Sequence, residues 1–214
     1  MLRTLLERVI EWLAPAAIIT VACLIYFAPP EVDSLLRYER SLILSGDYWR
    51  IVTGHFTHTN LNHLLMNCAA VVLTWMLLPI RPRLDLALLG IAILAALCGI
   101  ALLVFEPQIG WYKGLSGLLH ALLALGAVLN MRERGSRWWG IVLLAILSLK
   151  VYSEWFGTQG SLLAQWIGAP MVTEAHFWGL VIGGTVATLV LFGMGLGELI
   201  ARGIAAMRGS RSPG

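Results

Sequence analysis

The chain reads as an all-α membrane protein, a bundle of six transmembrane helices with both termini in the cytoplasm. Three observations predict this. Hydrophobic residues make up 58% of the 214 residues and charged residues only 13%, with a mean hydropathy of +0.79. A soluble domain of that composition would expose far too much apolar surface to water. The apolar residues are gathered into runs that approach or exceed the ~20 residues needed to cross a hydrocarbon core. The basic residues lie in the short stretches between those runs, unequally on the two sides.

The expected spans cover residues 13–28, 61–80, 84–105, 115–131, 138–156 and 175–200. Pro29-Pro30 ends the first. Arg81-Pro82-Arg83 makes a tight turn between the second and third, and 131–137 joins the fourth and fifth. Ahead of them, Leu2, Leu5, Leu6, Val9 and Ile10 alternate with Arg3, Glu7, Arg8 and Glu11 at helical spacing. Residues 1–12 are therefore expected to form an amphipathic helix lying in the interface. Its acids, and the lack of a small-x-small site before Pro29, argue against a cleaved signal peptide. The organisation expected is this segment, a six-span domain over 13–200 and a basic cytoplasmic tail over 201–214.

Arg3, Arg8, Arg81, Arg83, Arg132, Arg134, Arg137, Arg202, Arg208 and Arg211 fall on one side. Arg37, Arg40, Arg50, Lys113 and Lys150 fall on the other. The excess marks the cytoplasmic side, so 29–60, 106–114 and 157–174 face outward. Trp49, Trp111, Trp155, Trp166 and Trp178 fall near the outer boundary, and Trp12, Trp138 and Trp139 near the inner one, as two aromatic belts. The formal charge of +3 comes without a basic stripe or interleaved aromatics, which excludes a nucleic-acid partner. Cys23, Cys68 and Cys98 lie inside apolar runs without metal-like spacing and read as small buried hydrophobes.

Spans two, four and six descend from the outer side, so the polar residues near their starts share one depth. These are Asn62, His63 and Asn67 on span two, Ser116 and His120 on span four, and His176 on span six. The fourth span covers only ~25 Å against a ~30 Å core. The loop before it must then dip inward, where non-helical backbone is tolerated only in protein or against a water-filled cavity.

Ser116 opens a helix, and the N–H groups there have no intrahelical partner and can donate to a developing oxyanion. Gly114 permits an unusual loop conformation and Gly117 a close backbone approach. His176 begins the sixth span and is followed by Gly179 and Gly183 on the same face. Those small residues let the fourth span, with Ser116, Gly117 and Ala121, pack against the imidazole. A hydroxyl and an imidazole able to meet within a bilayer point to a nucleophile and its base. His63 and Asn67, four apart, can both donate toward the same cavity and help hold an oxyanion. His120 lies one turn below Ser116, where it can stack on His176 or hydrogen-bond to it. Lys150 and Glu154 form an i, i+4 pair at the outer end of span five, read as a local ion pair with a substrate contact as an option. His55 and His58 are expected to order the outer loop, and Asp47 and Glu106 to be solvated acids.

Three stretches carry a family resemblance. Trp49-Arg50-Ile51-Val52-Thr53-Gly54-His55-Phe56-Thr57-His58 with His63-Leu64-Leu65-Met66-Asn67 resembles the second-span region of rhomboid intramembrane serine proteases. Gly114-Leu115-Ser116-Gly117 resembles their nucleophile motif, and Ala175-His176-Phe177-Trp178-Gly179 their histidine motif. They occur in the family's order over about residues 45–190. Thr53-Gly54-His55-Phe56, Gly114 to His120, Lys150 to Glu154 and Glu174-Ala175-His176 look most like the rhombosortase branch. At His120 typical bacterial rhomboids often carry a tyrosine.

The resemblance implies a rhomboid-like bundle and a Ser-His dyad without an obligatory aspartate. Ser116 would be the nucleophile and His176 the general base and acid, with His63, Asn67 and the Ser116 backbone at the oxyanion. It further implies a bacterial inner membrane location with the site opening toward the periplasm. The substrates it implies are exported proteins with a C-terminal glycine-rich motif, a hydrophobic helix and a basic tail. Water, or an amine, would resolve the acyl-enzyme. No cofactor or metal is expected. Two other readings compete: a non-catalytic rhomboid-like protein that binds membrane helices, and a haem or metal protein using the histidines, which lacks the paired ligand spacing such sites use.

Overall fold

The computed structural model describes residues 10–79, 82–156 and 162–209; of 162, 163 and 203–209 only the backbone is described. Most of the expected interfacial segment 1–12, Arg81 in the turn, part of the loop 157–174 and the last residues of the tail lie outside the described residues.

Six apolar helices dominate. Helix α1 (Leu13–Phe27) stops where Pro29 and Pro30 remove two backbone donors. Helix α5 (Leu61–Leu77) starts on Asn60, whose side chain accepts the His63 N–H at 2.9 Å. Helix α6 spans Leu84–Phe105, α7 Ser116–Asn130, α8 Arg137–Phe156 and α10 Thr173–Gly209. Helix α10 thus runs through part of the stretch expected to be a tail, and no proline interrupts it over 173–209.

The long outer loop is more ordered than the sequence predicts. Residues 29–60 hold α2 (Pro30–Leu36), β1 (Tyr38–Glu39), α3 (Arg40–Leu44), α4 (Arg50–Thr53) and a 3-10 turn (Gly54–Phe56). β1 pairs antiparallel with β2 (Trp111–Tyr112), with Tyr38 opposite Tyr112. A short helix α9 (Leu162–Ile167) follows α8. Buried Arg50 ties this cap together: its guanidinium donates to Asp47 Oδ2 at 2.9 Å, Ser34 O at 2.8 Å and Arg37 O at 3.0 Å. Asp47 is therefore a structural partner rather than a solvated acid. His55 also anchors the cap, with Nε2 3.0 Å from Ala95 O.

Helix α7 is the axis of the bundle and touches α5, α6, α8 and α10. Its Leu118, Leu119, Ala121 and Leu122 join Leu64, Val71, Leu94, Cys98 and Ile18 in the main core. A second cluster, Tyr38, Ile43, Leu102, Tyr112 and Ala175, lies beneath the β-pair. A third, Ala14, Trp75 and Ala87, closes the opposite end of the bundle. The outer surface is apolar: Leu73, Ile146, Leu149, Leu189 and Phe192 are all more than half exposed. A surface of that kind belongs in lipid. By length and composition α6, α8 and α10 can each cross a membrane, and α5 can with α4, bent by 95°. Helix α1 and helix α7 are shorter, 15 residues each. At 1.5 Å per residue α7 covers about 22 Å, so it cannot reach both faces of a ~30 Å core.

Candidate functional site

The site is built on the start of α7. The chain reaches it from β2 through Lys113 and Gly114, whose φ of +115° is a conformation that side chains other than glycine's rarely adopt. The Gly114 N–H donates to Gly54 O at 3.2 Å, fixing the loop to the cap. Buried Tyr112 holds its other side: the hydroxyl donates to Gly114 O at 2.5 Å and accepts from the Gly117 N–H at 3.3 Å. Burial raises the Tyr112 hydroxyl pKa well above its ordinary value, so it stays a donor. Nothing in the sequence singled out Tyr112, because its role depends on the β-pair. The next residue to enter the cavity is Ser116, the first of α7.

His176 comes from the first turn of α10, sixty positions away in sequence. It can reach Ser116 because α10 lies backbone to backbone on α7. A Cβ built at Gly179 would collide with Gly117 O, and one at Gly183 with Ala121 O. Gly117 itself faces Ala175 and the Tyr112 hydroxyl across this seam. His176 Nε2 then stands 2.9 Å from Ser116 Oγ. The other ring nitrogen, Nδ1, lies 2.7 Å from Glu154 Oε2 on α8.

His120 lies parallel to His176, ring centroids 4.2 Å apart and planes 10° apart. Its Nδ1 is 2.7 Å from Ser116 O and its Nε2 3.3 Å from Lys150 Nζ. Lys150 Nζ also donates to Glu154 Oε1 at 2.5 Å. These contacts dictate the tautomers. A carbonyl oxygen only accepts and an ammonium only donates, so neutral His120 carries its proton on Nδ1. Both its nitrogens are thus committed, neither to the serine hydroxyl. A carboxylate also only accepts, so His176 carries its proton on Nδ1 and offers the Nε2 lone pair to Ser116.

On the opposite wall, His63 and Asn67 lie beside Gly114: a Cβ there would meet His63 Nε2 at 2.6 Å and Asn67 Nδ2 at 3.3 Å. Asn67 Nδ2 is buried and unpartnered. His63 Nδ1 is 3.1 Å from Thr59 Oγ1, whose hydroxyl donates to Ile167 O at 2.6 Å. His63 therefore donates from Nε2 only if the Thr59 proton turns to Nδ1; Asn67 carries no such condition. His58 stacks edge-on against His63, with centroids 5.0 Å apart.

One cavity of about 250 Å³ is lined by His63, Asn67, Ser116, His120, Lys150 and His176 together with residues 169–172. Its wall is mostly apolar with a few convergent polar groups, the usual character of a binding pocket. Nitrogen and oxygen atoms of His120, Glu154 and His176 lie within 4.8 Å of one another, close enough to chelate a cation. Those atoms are instead engaged with Lys150, Ser116 and each other, and the Lys150 ammonium supplies the positive charge.

Two expectations need correction. Glu154 is more than half of a helix-end ion pair, since its second oxygen reaches His176. Glu106, read as a solvated acid, accepts from Trp178 Nε1 at 2.8 Å and so ties α6 to α10.

Known proteins give an independent finding. The rhomboid domain family matches residues 45–193. The chain is 28% identical over 192 residues to the rhomboid protease GlpG of Salmonella paratyphi A, covering 85% of this chain and 64% of that protein. It is 28% identical over 197 residues to the rhomboid protease GlpG of Salmonella choleraesuis, with the same shares covered. It thus spans just under two thirds of the length of these relatives.

Proposed function

The chain belongs to the rhomboid domain family, and we propose that it is an intramembrane serine endopeptidase of the rhombosortase kind. What carries the reading is the 2.9 Å contact between Ser116 Oγ and His176 Nε2 inside a cavity. A nucleophile within hydrogen-bond reach of a base whose other nitrogen is oriented is the geometry of activated-serine chemistry.

The same proposal covers setting and substrate. The six-helix bundle is embedded in a bacterial inner membrane, with α7 ending short of one face, both termini are cytoplasmic and the cavity opens to the periplasm. The substrate is an exported protein whose C-terminal anchor has a glycine pair, a hydrophobic helix and a basic tail. Small residues at the cleavage point suit a cavity of this size, because an unbranched backbone can lie close to Ser116.

Ser116 Oγ attacks the scissile carbonyl as His176 Nε2 takes its proton. Asn67 Nδ2, the N–H groups at the start of α7 and His63 in its Nε2–H tautomer receive the oxyanion. The imidazolium returns the proton to the leaving amine, and the anchor departs. Water, deprotonated by His176, attacks the acyl-enzyme and releases the new C-terminus; an amine in place of water gives transfer.

Mass spectrometry of such a protein's C-terminus, in cells carrying the native chain or Ser116→Ala, tests this. The native chain should leave a C-terminus shortened at the glycine motif, and Ser116→Ala the intact anchor. Identical processing in both would refute the protease and favour a protein that only binds membrane helices.

A further inference from the structure

Helix α8 is only lightly embedded for a helix that reaches the site. Of its twenty residues, only Gly140, Leu147 and Val151 are buried. Yet Leu147, Val151 and Glu154 recur at i, i+4 and i+7, a stripe that aims one face at α7 and α10. A carboxylate on that face sits against imidazole rather than lipid or water. The Glu154 side chain is 11% exposed against 43% for Lys150. An i, i+4 surface pair would use one carboxylate oxygen and contribute little to stability. Here both oxygens are used, one on Lys150 and the other on His176.

We propose that Glu154 is a positioning residue for His176, so that the site works as a Ser116–His176–Glu154 relay clamped by Lys150 and His120. This deepens, and rests on, the protease reading above. Glu154 Oε2 accepts the His176 Nδ1–H, which fixes the ring's tautomer and aims Nε2 at Ser116. When the Oγ–carbon bond forms, the carbonyl electron pair moves to oxygen and the Oγ proton moves to Nε2. The imidazolium so formed faces a carboxylate that keeps its charge and takes no proton. Lys150 holds Glu154 in that orientation. Its other donated bond goes to His120, whose ring stacks on His176 and limits its tilt. The other nearby acid, Glu174, is turned toward Thr173 Oγ1 at 3.5 Å.

Glu154→Gln keeps the size and an acceptor oxygen but loses the charge. In purified full-length protein, its labelling of Ser116 by a fluorophosphonate should slow about 100-fold. On a reporter carrying the glycine-pair anchor, kcat should fall similarly while KM stays within about twofold. Glu154→Asp should recover at least about tenfold of that loss, and Glu174→Gln should match the native chain to within about twofold. Native kcat and labelling in Glu154→Gln, or a loss confined to KM, overturns the relay. Should Glu154→Gln fail to fold, Lys150→Met carries the test: about tenfold slower labelling at unchanged KM is expected, and native rates overturn the relay. Ser116→Ala separates the two levels. If it abolishes labelling while Glu154→Gln labels at the native rate, only the relay falls. If Ser116→Ala labels undiminished, the protease reading falls and takes the relay with it.

Discussion

Helices α7 and α8 both give residues to the site, but they are held in opposite ways. Helix α7 has ten of its fifteen residues buried, Gly117 to Asn130, against four neighbouring helices. Helix α8 has three of twenty buried, and its Ile146, Leu149 and Trp138 face outward. The helix that carries Ser116 is fixed by packing on all sides, with α10 laid against it backbone to backbone. The helix that carries Lys150 and Glu154 is fixed on one stripe, and its polar contacts do the aiming. A nucleophile needs a position set to within fractions of an ångström, which close-packed small residues provide. A residue that orients a base can be held by charge-assisted hydrogen bonds from a less embedded helix.

The sharpest way to break this contrast is at the α7–α10 seam. Gly179→Leu puts a branched side chain where Gly117 O and His120 Cβ stand. It should abolish cleavage and lower the melting temperature. Gly193→Leu, in open space on the same helix, should do neither. Native melting in Gly179→Leu would show that the seam is not what joins Ser116 to His176.

Next in size is Asn67→Ala, expected to lower kcat about 100-fold with the bundle intact. His63→Ala should cost less, because its donation depends on the Thr59 proton. The reverse ranking, measured on a common reporter, would move the main oxyanion donor from Asn67 to His63. The smallest effects belong to α8. Leu147→Ala, on the buried stripe and in the cavity wall, should destabilise by about 2 kcal/mol. Ile146→Ala, one position before it and 60% exposed, should change melting and activity by less than about twofold in equilibrium or rate. Equal effects at the two positions would mean that α8 turns another face inward.

Much of this was legible in the residues and some was not, for physical reasons. The six apolar helices follow from hydropathy, and two of the breaks between them from Pro29-Pro30 and Pro82, since these signals are local. Ser116 and His176 stand out because a histidine within a membrane span is uncommon and this one falls at the depth of a serine that opens another. The cap over 29–60 was not legible: β1 and β2 have two residues each, too few for any periodicity, and exist through Arg50 and pairing across the chain. Tyr112 could not be distinguished from an ordinary interfacial aromatic. Glu154 was visible but only half read: its ion pair with Lys150 was expected and is present. Four residues from Lys150 it satisfies a local rule, and only tertiary packing reveals that its second oxygen meets His176. The stripe through Leu147 and Val151 was the available clue. Asp47 and Glu106, read as solvated acids, each meet a partner instead: Asp47 the buried Arg50 three residues on, and Glu106 the Trp178 indole from α10.

The central claim is that Ser116 is activated by His176 across the α7–α10 seam. Fluorophosphonate labelling of the purified chain, with the adduct mapped by peptide mass spectrometry, tests it most directly. The account requires an adduct on Ser116 in the native protein and almost none in folded His176→Ala. An adduct on another serine, or undiminished labelling of Ser116 without the imidazole, would contradict it.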